Sequence, residues 1–296
     1  MNELVILKAG AVEAALAPAA GGSLAALRLD GVDLLRRAPP GSTDPLAMAS
    51  FPLVPYANRI AEGRFRFGGR DFRLPLNFGD HPHSIHGLGW TAPWTVEAVA
   101  QDSVQLTHRH DGGDGWPWAY QAEQHIAVTP DALDMVLTVR NVSEETMPVG
   151  LGFHPYFQAD AATRLQFDAA SLWLSTPDML PNREVAADTL GNWPEGEPVM
   201  GDSLIDNVYG GWSGSATMVR GDGARLVLTA SGAPWLHVYR PPHSYDFCLE
   251  PVSHMPDAIN RPQGMDLLEP GGSRTLSMRI AIDKSDQTLP KPSKIA

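Results

Sequence analysis

Cysteine is almost absent from this chain. Cys248 is the single one in 296 residues, so no intramolecular disulfide can form, which suits a reducing compartment. Long apolar runs are missing too. No uninterrupted stretch approaches the ~20 residues that span a bilayer. The start, MNELVILKAG, has an acidic residue at Glu3 and a break at Lys8, which does not fit a secretory leader. The expectation is a soluble, cytoplasmic protein. Positive charge is in short supply, with 22 Lys and Arg against 34 Asp and Glu and a net charge of −12. Such a surface repels phosphate backbones and anionic lipid, so neither nucleic acid nor membrane is an expected partner. Metal-site patterns are lacking as well. There is no HExxH and no cysteine cluster, and the histidines of GDHPHSIHGLGW are not followed by the carboxylate that a cupin-like site needs. No metal or other cofactor is expected.

Glycine and proline, in contrast, are abundant (28 and 26) and spread along the whole chain. Dispersed turn formers imply many short elements. The stretches between them alternate or are β-rich: LVILKAG, SLAALRLDG, GRFRFGGRDFRL, TVEAVAQDSVQLTHRH, AYQAEQHIAVTPDALDMVLTVRN and SATMVRGDGARLVLTAS. FGGR, TPDA and RGDGAR read as hairpin turns. Amphipathic helical windows are scarce. The chain reads as all-β: a large antiparallel β-sandwich with few short helices, one domain over residues 1–283, and a loose tail over 284–296.

Five polar stretches interrupt the strand pattern. FPLVPYANRIAEGRF brings Asn58 and Arg59 after two prolines. GDHPHSIHGLGW carries His81, His83 and His86. VGLGFHPYFQAD sets His154 between aromatics and glycines. SLIDNVYGGW places Asp206 after two aliphatics. FCLEPVSHMPDAIN ends an apolar run in Glu250, followed by Pro251. The first four have ordinary structural readings: a surface arginine, a hydrogen-bonded histidine, a core histidine, an Asx-turn. DGGDGWPWAY adds Trp116, Trp118 and Tyr120; exposed indoles there would suit stacking on a sugar ring, and packing of the loop onto a sheet is an equally common use.

Taken together and in order, these stretches resemble the aldose 1-epimerase (galactose mutarotase) family. The resemblance lies in YANRIAEGRFRFGGRDFRL, HSIHGLGW, DGGDGWPW, GFHPYF, SLIDNVY, FCLEPVSHMPDAIN and LEPGGSRTLSMRI, and it covers nearly the whole chain. It implies the family's large β-supersandwich, a monosaccharide as partner, and no cofactor. It implies Glu250 as general base and His154 as general acid, with Arg59, His86, Asp206 and Asn58 holding the sugar. The sequence departs from the family's pattern at Asp80-His81-Pro82-His83, at Trp118, at Pro155 and after Glu250. These changes bear on sugar preference, with His83 and Trp118 as candidate determinants.

The implied reaction opens a cyclic hemiacetal and recloses it on the other face. A base must take the C1 hydroxyl proton and an acid must protonate the ring oxygen, each contributing roughly 10²–10⁴-fold. A carboxylate and an imidazolium serve if each favours the other's charge. Pro251 is expected to stop the strand and keep Glu250 facing the cleft. Three alternatives stay open: epimerisation of a hexose 6-phosphate, which calls for extra cations such as Arg240 or Arg261; a non-catalytic sugar-binding module; and a glycoside hydrolase built on Asp206 and Glu250.

Overall fold

The computed structural model of the protein describes residues 4–283. The tail expected at 284–296 lies outside the described residues. Strands dominate. The helical elements among the described residues are five short 3₁₀ turns, such as Pro45–Ala47 and Ala258–Asn260.

All strand pairings inside the sheets are antiparallel. A nine-stranded sheet runs from Thr95–Val99 at one edge, through Ala119–Thr129, Ala132–Asn141 and Ser273–Asp283, to Arg164–Phe167 and Glu197–Pro198 at the other. A second large sheet has Ile205–Gly210, Trp235–Arg240 and Asp246–Val252 at its centre, continued by Gly152–Phe153 and Pro52–Leu53. The turns expected at FGGR, TPDA and RGDGAR each join neighbouring antiparallel strands.

Period-two alternation explains how the sheets meet. Leu133, Leu137 and Leu276 of the first sheet and Tyr209, Leu236, Val238, Phe247 and Leu249 of the second belong to one buried cluster. The second sheet therefore turns its other face outward, and that face carries Asp206, His237, Tyr239, Cys248 and Glu250. It is not exposed. Asp206, His237, Cys248 and Glu250 are all buried there.

Pro251 does not stop the strand. Pairing continues through Pro251, opposite Leu236, to Val252, opposite Trp235. Glu250 is a strand-interior residue, and its direction is set by the pleat and not by a proline break.

Candidate active site

The cleft sits on that outward face and holds about 330 Å³, at the low end of small-ligand sites. Its floor is polar: Asn58, Arg59, His81, His86, His154, Asp206, His237 and Glu250. Leu46, Phe78, Met179 and Leu204 supply apolar lining.

The Asn58–Arg59 loop is fixed from several sides. Asn58 and His86 both have positive φ (55° and 61°), costly for residues other than glycine. They hold each other there, because Asn58 N donates to His86 Nδ1 (3.1 Å) and His86 N donates to Asn58 O (2.9 Å). Next to His86, a Cβ at Gly87 would lie 2.4 Å from Val54 O, so only glycine lets the two loops approach this closely. From below, His254 Nε2 accepts from Ala57 N (3.1 Å) and Asp257 Oδ1 accepts from Ala61 N (2.9 Å). Asn58 Oδ1 accepts from Arg59 Nη1 (3.1 Å), and Arg59 Nη2 reaches Asp206 Oδ2 at 3.1 Å.

Asp206 has a second partner on its other oxygen. His237 Nε2 donates to Oδ1 at 2.6 Å. Burial works against the Asp206 charge, but His237 and then Arg59 outweigh it and hold the carboxyl well below the usual carboxylate range. Asp206 is thus a fixed anion.

His154 lies between two rings. Phe51 stacks on it at 4.5 Å and Tyr156 at 4.8 Å. Its Nε2 is 3.1 Å from Glu250 Oε1. Glu250 Oε2 and His154 Nδ1 are buried without a hydrogen-bond partner among the described residues. A buried polar atom without a partner calls for an explanation, and at the floor of a cleft a ligand supplies one. The two groups do not stabilise each other's charge as expected from the sequence. Burial prevails: it pushes Glu250 up to about 7, and, with the charge of His237 added, pushes His154 down to about 3. So close a pair titrates as a unit, and between those values it carries one shared proton. His86 is also held neutral, chiefly by burial and then by His154.

The structure brings Asn58, Arg59, His86, His154, Asp206 and Glu250 together around one cleft. It does not bring His83 or Trp118 there. His83 is buried behind the loop, accepting from Glu62 N (3.0 Å) with Asp178 3.2 Å from its other nitrogen. His81 lines the cleft in its place and accepts from Arg59 Nε at 3.3 Å. Trp118 is a core residue, packed at 5.2 Å from Phe72 and 5.5 Å from Trp116, which is itself fully buried. Of the two uses open to these indoles, sugar stacking and packing, the structure shows packing: they anchor the Arg64–Arg73 hairpin. Neither Arg240, which donates to Ser203 O (2.9 Å), nor Arg261, which donates to Pro181 O, lines the cleft.

His237 was not singled out from the sequence. The signal available was one ionisable residue in the middle of WLHVY, a strand otherwise apolar and aromatic. As for metal, His154, Cys248 and Glu250 offer ligand atoms within 4.8 Å of one another. The thiol is fully buried, and burial and then the Glu250 charge push it well above its ordinary range, away from the thiolate that metals bind.

Comparison with known proteins agrees with this architecture. Residues 3–281 match the sequence profile of the family described as Aldose 1-epimerase. The chain is 33% identical to the Escherichia coli K12 protein YphB over 279 residues, which are 89% of this chain and 93% of the relative. It is 34% identical to mouse galactose mutarotase over 105 residues, 34% of this chain and 29% of that protein. A crystal structure of a putative aldose 1-epimerase from Escherichia coli K12 superposes with a TM-score of 0.88 at 30% identity, covering 95% of this chain and 99% of the other. The fold extends to a GalM/aldose epimerase homologue from C. elegans, with a TM-score of 0.83 at 20% identity and coverage of 96% and 99%. With the profile spanning the two large sheets and every loop around the cleft, this chain is a member of the aldose 1-epimerase family.

Proposed function

We propose that the protein interconverts the α and β anomers of a free aldose, with Glu250 and His154 as the acid–base pair. The observation that carries this reading is the 3.1 Å contact between His154 Nε2 and Glu250 Oε1 on the floor of the cleft. A pair sharing one proton can give a proton at one oxygen while taking one at another, with no net change over the cycle. In the ring-opening step Glu250 takes the proton from the C1 hydroxyl. The C1–O5 bond breaks, its electrons pass to O5, and O5 takes the proton held at His154 Nε2. C1 becomes an aldehyde carbon, turns about C1–C2, and the same transfers in reverse close the ring on the other face. Arg59, His86, Asp206 and Asn58 hold the remaining hydroxyls.

Two observations bear on the alternatives. Arg59 is the only arginine or lysine among the described cleft-lining residues, and it is committed to Asp206, which leaves no free cation for a phosphate. Asp206 has one oxygen engaged by Arg59 and the other by His237, which leaves neither free to act as nucleophile or base beside Glu250 in glycoside cleavage. A neutral aldose suits both facts.

The test is polarimetry on freshly dissolved α-D-glucose, α-D-galactose and α-D-xylose. Wild type should speed the decay of rotation for at least one sugar. Glu250→Gln and His154→Asn should each lose roughly 10²-fold or more of that acceleration. Decay no faster than buffer with all three would sink the reading for these substrates. Acceleration that survives Glu250→Gln would remove Glu250 as the base.

A further inference from the structure

The steps above give His237 no task, yet it occupies the middle of the site. It lies on the central one of three neighbouring strands, and its register partner on the next strand is Glu250. It is buried, lines the cleft, and contacts Asp206 Oδ1 at 2.6 Å, as short as a charge-assisted bond. The charged and titratable groups around it are Asp206 on one strand, Glu250 on the other, Arg59 on the covering loop, and the rings of His86 and His154. Asn58 Nδ2 is 3.5 Å from its Nδ1, at the limit of hydrogen bonding and too far to fix a neutral tautomer.

The charges can be counted. Arg59 and Asp206 cancel as a direct ion pair. Glu250, when ionised beside a neutral His154, then has no cation of its own unless His237 supplies one. We propose that His237 is a standing imidazolium, clamped by Asp206, which weakens the hold of Glu250 on the single proton of the Glu250–His154 pair and so favours the distribution with that proton on His154. That is the distribution from which ring opening starts, so this proposal rests on the epimerase reading.

Topology gives the direction. The Trp235–Arg240 strand flanks the Glu250 strand on one side. The Gly152–Phe153 and Tyr156–Gln158 strands, which bracket His154, flank it on the other. Directly opposed residues in such pairs have Cβ atoms about 4.5–5.5 Å apart, and the far strand adds about 4.8 Å more. Coulomb energy falls with distance, so the cation favours charge on Glu250 more than it opposes charge on His154. His237 is therefore a positioning residue that acts through the pair.

The experiment has two readouts that need no substrate. Nitrogen-15 NMR of the His237 ring from about pH 6 to about pH 8 should show an imidazolium throughout. A carboxylic-acid infrared band assigned by difference with Glu250→Gln should grow in His237→Gln, which keeps a polar side chain of similar reach but removes the charge. In His237→Gln the basic limb of kcat/KM should move up by about one pH unit, while the plateau of kcat falls at least about tenfold. A neutral His237 ring near pH 7 would overturn the proposal. So would a His237→Gln enzyme with lowered kcat but an unmoved limb and band, the mark of a merely structural residue. If the NMR and infrared results hold while no sugar is turned over, the epimerase reading fails and the charge arrangement stands.

Discussion

Gly150 is not itself an expected site residue, although it precedes His154 by four positions, and the structure makes it a sensitive one. Its φ is ordinary, so alanine costs nothing in the backbone. Space is the obstacle. A Cβ on Gly150 would lie 2.0 Å from His254 Nε2 and 2.1 Å from Cδ2. The ring cannot simply swing away, because Nε2 accepts from Ala57 N (3.1 Å) and Nδ1 is 2.8 Å from Met255 O. Gly150→Ala must therefore displace the support under Asn58 and Arg59. Overpacking of this kind costs about 1–3 kcal/mol, and a buried N–H left without its acceptor costs about 1–3 kcal/mol more. Partial relaxation brings the total to about 2–4 kcal/mol, which lowers Tm by roughly 3–7 °C for a domain of this size. Denaturant unfolding of Gly150→Ala, His254→Ala and the double variant checks both amount and cause. Once the ring is gone the added methyl has room, so the double variant should be no less stable than His254→Ala alone. Wild-type stability for Gly150→Ala, or costs that add in the double variant, would refute the reasoning.

The remaining expectations concern pH and the aromatic core. Burial holds His254 and His108 down at about 4 and His154 at about 3. A depressed folded-state value makes stability full above the ordinary histidine range and lost as pH falls from about 6.5 towards 4, on the order of 3 kcal/mol for His254. Glu250, raised to about 7, acts in the opposite sense, stabilising at low pH and losing that contribution as pH rises through about 7. His254, His108, His154 and the likewise depressed His86 outweigh Glu250 and the raised His237, so the denaturation midpoint should drop on acidification, and His108→Gln should recover part of the loss; a midpoint flat from pH 7 to 4.5 would contradict these burials. For the reaction itself, kcat/KM should fall as pH rises through about 7, where the pair gives up its shared proton. Trp118→Leu should cost about 2–4 kcal/mol of stability while leaving the ranking of sugars unchanged; a changed ranking would return Trp118 to the cleft.

Much of the fold was legible in the sequence because its signals are local. A hairpin turn such as TPDA and the alternation of ALDMVLTVRN need no knowledge of distant residues, and both appear where expected. Glu250 and His154 were legible for a related reason: each is an ionisable side chain in an apolar setting, an expensive placement that demands a cause. The local signal misled where burial depended on something far away in the chain. Trp118, in a Gly- and Asp-rich turn, has every mark of an exposed indole, but Phe65, Phe67 and Phe72 of an earlier hairpin close over it. Pro251 reads as a strand stop, yet it lies inside a paired strand opposite Leu236.

His237 shows the limit most clearly. Alternation alone puts His237 on one face with Tyr239 and puts Glu250 on one face with Cys248. Nothing in either strand says that the two faces are the same one, or that residue 237 falls opposite residue 250 and not two positions along. Register decides that, and register here follows from the turn joining Arg240 to Asp246 and from the core fit of Leu236, Val238, Phe247 and Leu249. A slip of one residue would turn Glu250 into the core; a slip of two would keep it in the cleft but move it off His237. The proposed acid–base pair can be named from the resemblance, but the charge proposed to bias its proton depends on the paired sheet. Lengthening the 241–245 turn should therefore disturb the pH profile before it disturbs the fold, and an inserted residue that left the basic limb in place would argue that the register is pinned by the core alone.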